Sequence, residues 1–125
     1  MKFDCKKFFR SFTYAAKGIK ACVGREQNLS FHLLTTVLVI GGGFFFGINN
    51  MEWVAIILCF GMVISAELFN SAIERLTDLI SPEWNQQAGL VKDIAAGAVL
   101  VAAIASLAIG LIIFLPYLAN LYFHS

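Results

Sequence analysis

Glu67, Asn70, Ser71, Glu74 and Asp78 fall on one stripe of a helix at about 100° per residue. The opposite face carries Leu68, Phe69, Ile73 and Leu76. An apolar run from Trp53 to Ala66 leads into this stretch with no turn signal between them. The sequence therefore predicts one continuous helix that begins in hydrocarbon and ends in water. Ionisable residues at membrane depth cost about 2.5–3.5 kcal/mol each even on insertion scales. They persist where they face a protein interior and have a partner or a task. A helix end dissolving into solvent would account for Asp78 and could account for Glu74. It accounts poorly for Glu67, which has apolar residues on both sides.

Carboxylates that converge from several segments at a wet membrane surface suit a hard divalent cation. Mg²⁺ takes one or two carboxylates and fills its other positions with water and phosphate oxygens. A nearby lysine can neutralise phosphate charge, and a further carboxylate can accept a hydroxyl proton. Those are the parts required for phosphoryl transfer from ATP to an alcohol. No GxxxxGK[ST] phosphate loop is present, nor any HRD or DFG motif. From the residues alone the expectation is a Mg-nucleotide or cation site, with an enzyme and a transport subunit both open.

The chain that must position these groups is 125 residues long, 59% hydrophobic and 14% charged. Its mean hydropathy is +0.79. That is too apolar for a soluble domain of this size and points to an integral membrane protein. One domain is expected over 1–125. Cys5, Cys22 and Cys59 show no paired or metal-ligand spacing and read as free thiols.

Residues 1–25 interleave basic and aromatic residues. Phe8, Phe9, Phe12, Ala15, Ala16 and Ile19 recur at helical spacing, with Lys7, Arg10, Lys17 and Lys20 on or near the other side. This predicts a basic amphipathic helix in the headgroup plane. A signal peptide fits less well, because charges interrupt the apolar residues and no small-residue cleavage site follows. Nucleic-acid binding is not expected, since bilayer insertion explains the phenylalanines better. Spanning helices are expected at about 29–48, 52–80 and 92–115, each long enough for a core of about 30 Å. Asn49 to Glu52 would form a tight turn, Ser81 to Val91 a surface loop, and Pro116 an end or a kink.

Seven of the nine Lys and Arg residues precede the first apolar run, and Arg75 and Lys92 flank the 81–91 loop. The Asn49 turn and the carboxy-terminal tail have none. By the positive-inside rule the amino terminus is cytoplasmic and the carboxy terminus external. Glu26, Glu67, Asn70, Glu74, Asp78, Lys92 and Asp93 then gather near the cytoplasmic surface. Between Val54 and Ser65, and between Leu100 and Leu115, only Ser106 could serve a polar path. A one-sided site disfavours a trimeric cation channel or transport subunit.

The chain resembles the prokaryotic diacylglycerol kinase family, small three-span membrane enzymes that include undecaprenol kinases. Glu67-Leu68-Phe69-Asn70-Ser71-Ala72-Ile73-Glu74 and Asp78 match the pattern E-x-x-N-[ST]-A-I-E-x-x-x-D. Lys92-Asp93 and the run Ile94 to Leu100 follow at the family's separation. Tyr14, Ala15, Ala16, Lys17, Gly18 and Glu26 match its surface-helix pattern, and the likeness extends from about Phe8 to Pro116. The resemblance implies an all-α homotrimeric bundle in the bacterial cell membrane, with composite sites on the cytoplasmic side. It implies ATP as co-substrate, Mg²⁺ as cofactor and a membrane lipid alcohol as acceptor. Glu67 would be the general base, and Asn70 would position the phosphates or the base. Glu26 and Glu74 would hold the metal. Lys92 would meet phosphate oxygens, and Asp93, Tyr14 and Lys17 the nucleotide. Glu26, Asn28 and His32, in the pattern E-x-N-x-x-x-H, resemble the undecaprenol-kinase branch more than the diacylglycerol one. The run Ala96 to Leu100 and the ending Ile113 to Pro116 point the same way.

Overall fold

The computed structural model describes residues 2–24 and 26–124. Met1, Arg25 and Ser125 lie outside the described residues, and with them both ends of the 1–25 segment and one of its basic side chains. Four helices form: α1 (Cys5–Cys22), α2 (Gln27–Phe46), α3 (Asn50–Ile80) and α4 (Gln86–Phe123). Helices are what a chain this apolar must adopt in lipid, where every backbone polar group needs an internal partner. α2, α3 and α4 are each long and apolar enough to cross a membrane.

Local chemistry sets the ends. Asp4 caps α1 by accepting from the Lys7 amide at 3.2 Å. Gly47 closes α2 at φ +62°, a conformation that favours glycine. Asn49 and Glu52 then form a reciprocal capping box at the start of α3, at 2.9 and 3.0 Å. α3 runs unbroken for 31 residues, as its lack of a turn signal predicts, and spans about 46 Å at 1.5 Å per residue.

α4 differs from expectation at both ends. It begins at Gln86 rather than 92, because Asn85 caps it through the Ala88 amide at 2.9 Å. The loop shrinks to 81–85, where the Asn85 amide also donates to Ser81 Oγ at 2.5 Å. Trp84 stays exposed beside Gly89. At the other end α4 continues through Pro116 to Phe123. Tertiary contacts hold it there. Tyr117 donates to Glu52 at 2.5 Å and its ring packs 5.8 Å from Phe46.

α3 is the central helix, packed chiefly on α4, then on α2, and touching α1 at one end. The apolar core of Ile48, Ile56 and Ile113 lies toward the Asn49 end. Gly43 permits this close packing, since a Cβ there would sit 2.6 Å from the Trp53 ring. Toward the other end the buried side chains of α3 change to Glu67, Asn70, Ser71 and Thr77. Most large apolar side chains are exposed on the described chain. That suits a surface meeting lipid or further protein, where burial from water does not drive helix association.

Candidate active site

Glu67 is the most enclosed ionisable group of α3, only 1% exposed. Its carboxylate receives no aligned hydrogen bond from a described residue. His32, on the facing side of α2, places Nε2 3.3 Å from Glu67 Oε1. One turn on, Asn70 is buried with no hydrogen-bond partner at Oδ1 among the described residues. Next to it Ser71, also 1% exposed, donates its hydroxyl to Glu26 Oε2.

Glu26 occupies the N-cap position of α2 without capping it by its side chain. A carboxylate there ordinarily accepts from the first free amides of its own helix. Here it turns to α3 instead. Glu74 lies half-buried a turn beyond Asn70. Glu26 and Glu74 are both close enough to act electrostatically on Glu67. Three acidic groups and one imidazole therefore share one end of the bundle.

Lys92 on α4 meets Asp78 on α3 at 2.6 Å, clamping the two helices at this end. Both side chains remain partly exposed, so the clamp adds little stability by itself. Arg75 reaches the Ala21 carbonyl at 3.4 Å, which ties the end of α1 to α3. Asp93 is exposed one residue past Lys92. Tyr14 and Lys17 are exposed on α1. Among the described residues no hydrogen bond or ion pair joins either of them to the carboxylates.

Glu26, Glu67, Asn70 and Glu74 thus come together, with Lys92 at the rim. His32 and Ser71 enter as their contacts, roles the sequence did not assign. The signals were present, since His32 is the one strongly polar residue of the run from Leu29 to Ile48 and Ser71 lies within the stripe. The partner of Glu52, Tyr117, had no such signal because it lies beyond a proline. Among the described residues no three His, Cys, Asp or Glu side chains form a ready-made metal cage. A pair of carboxylates beside water and phosphate is the arrangement Mg²⁺ prefers.

Fold and site together define a helical membrane protein with a carboxylate-rich polar site at one end of its bundle. The sequence profile of the family described as prokaryotic diacylglycerol kinase matches residues 13–114. An undecaprenol kinase of Bacillus subtilis is 42% identical over 115 residues, covering 92% of this chain and 94% of that protein. A diacylglycerol kinase of Synechocystis is 34% identical over 89% of this chain and 64% of its own length. A diacylglycerol kinase of Haemophilus influenzae is 29% identical over 74% of this chain and 78% of its own. The chain belongs to the prokaryotic diacylglycerol kinase family and is a lipid kinase. The alternative of a channel or transport subunit falls away.

Proposed function

We propose that the protein transfers the γ-phosphoryl group of ATP to the primary hydroxyl of a membrane lipid alcohol, with undecaprenol favoured over diacylglycerol. The observation that carries this reading is the buried Glu67 carboxylate, free of any aligned hydrogen bond and gathered with Glu26 and Glu74. A carboxylate held out of water without donors is a ready proton acceptor. In the transfer the lipid hydroxyl gives its proton to Glu67 and its oxygen bonds the γ-phosphorus. The bond from that phosphorus to the bridging oxygen breaks, and ADP leaves. Asn70 orients the phosphates or the base through its open amide.

Glu26 and Glu74 would hold Mg²⁺, which supplies charge neutralisation for the triphosphate. The placement of both carboxylates close to Glu67 supports that assignment. Lys92 can turn its remaining donors to phosphate oxygens while bonded to Asp78. Asp93, Tyr14 and Lys17 would face the nucleotide from the rim, with α1 lying in the headgroup plane as an amphipathic helix. Charge asymmetry supports a cytoplasmic site in the bacterial cell membrane. A homotrimer, as the family resemblance implies, would cover part of the exposed apolar surface of the spans.

The likeness to the Bacillus subtilis undecaprenol kinase supports the choice of lipid. The test offers undecaprenol and diacylglycerol side by side to purified protein with ATP and Mg²⁺. Preferential phosphorylation of undecaprenol is expected. Preference for diacylglycerol would reverse the choice of lipid, and no transfer to either would remove the proposed reaction.

A further inference from the structure

We propose that His32 is a positioning residue for the base. Its Nε2–H holds Glu67 Oε1, so that the other oxygen, Oε2, is turned toward the lipid hydroxyl. The inference rests on the reading of Glu67 as proton acceptor and deepens it.

A carboxylate with two equivalent oxygens and a free χ3 has no intrinsic aim. Glu67 is 1% exposed, so water cannot orient it. The nearby groups that act on it most are His32, Glu26 and Glu74. Two of these are acidic and repel it. Glu26 is moreover engaged by Ser71. His32 is the only described side chain within ion-pair range, 3.3 Å from Oε1. The contact is not yet aligned as a hydrogen bond. Contacts of this kind commonly tighten when substrate binds. The Phe31 ring lies edge-on to the imidazole at 5.7 Å and 72°. The His32 side chain is 18% exposed, against 1% for Glu67. Once Nε2–H engages Oε1, only Oε2 is left to receive the proton during transfer.

Four variants test this, with kcat and the KM values for ATP and lipid measured separately. His32→Leu keeps bulk in an apolar helix and removes the donor. His32→Gln places an amide N–H where the imidazole Nε2–H stands. His32→Leu should lower kcat about 10–100-fold, the size of a hydrogen bond to a charged group, with the KM for ATP little changed. His32→Gln should recover most of that loss, which a merely structural role would not predict. In a Glu67→Gln background, His32→Leu should add nothing further. If Glu67→Gln fails while His32→Leu turns over normally, the positioning role is overturned and the base stands. If His32→Gln is as impaired as His32→Leu while both still bind Mg-ATP, the donor is not what matters and the role is again overturned. If Glu67→Gln itself turns over normally, the underlying assignment of the base fails instead. Should His32→Leu not fold, His32→Gln still decides, since near-parental kcat is required of it.

Discussion

Ser71 on α3 donates its hydroxyl to Glu26, 45 residues earlier in the chain, and so pins the N-cap residue of α2 against the middle of the polar stripe. The bond diverts Glu26 from its own helix end. It is the contact that brings an acidic side chain from outside α3 to Glu67 and Glu74. In the proposed reaction Ser71 takes no direct part and places a carboxylate assigned to the metal.

The proton acceptor is separable from the metal ligands by experiment. Glu67→Gln keeps shape and removes basicity. It should bind Mg-ATP normally and lose turnover by about 10²–10⁴-fold, the usual contribution of general base catalysis. Nucleotide binding and single-turnover rates, measured on the same preparation, check both halves. Near-normal turnover would rule Glu67 out as the base.

Glu26→Gln and Glu74→Gln should behave like each other and unlike Glu67→Gln, although they belong to different helices. Each removes a charge proposed to hold the same ion. Mg-ATP binding should weaken, and raised Mg²⁺ should restore part of it. Titration calorimetry at two Mg²⁺ concentrations reads this directly. Unchanged binding in both variants would leave the carboxylates as a structural stripe.

Ser71→Ala should act through Glu26. Loss of the hydroxyl frees that carboxylate to return to the α2 amides, so the apparent Mg²⁺ requirement should rise in the same direction as in Glu26→Gln, but less. A Mg²⁺ dependence identical to that of the parent protein would show that the bond does not place Glu26.

Gly43→Ala tests the packed end of the bundle. The added Cβ would stand 2.6 Å from the Trp53 ring, which is itself packed 5.0 Å from Phe44. Overpacking of this kind costs about 1–3 kcal/mol. Thermal unfolding in detergent should show a lower midpoint, while the Mg²⁺ dependence of the surviving activity stays unchanged.

A reporter fused after residue 125 should read as external, because the Asn49 turn and the tail carry no Lys or Arg. A cytoplasmic reading would place the Glu67 end on the wrong side of the membrane for ATP.

Much of this was legible along the chain because helical periodicity is a local property. The run from Trp53 through Asp78 defines a long helix with a polar stripe by spacing alone, and α3 is that helix. The three apolar stretches follow from composition, since continuous apolar runs of this length satisfy their backbone groups in lipid as helices. The gathering of Glu67, Asn70, Ser71 and Glu74 needs no more than about 100° per residue. Residue spacing does not state which residues from other helices meet that stripe. The family resemblance supplied Glu26 and Lys92, and nothing assigned a contact to His32. His32 and Glu26 reach it only through the way α2 packs on α3, and Lys92 finds Asp78 only once α4 lies alongside. The course of α4 was likewise a tertiary outcome. A proline ordinarily breaks a helix because it removes an amide and crowds the preceding turn, yet the contacts of Tyr117 with Glu52 and Phe46 carry α4 past Pro116. Pairings between helices depend on crossing geometry and on which side chains fit there, and neither is written in the spacing of residues along one helix.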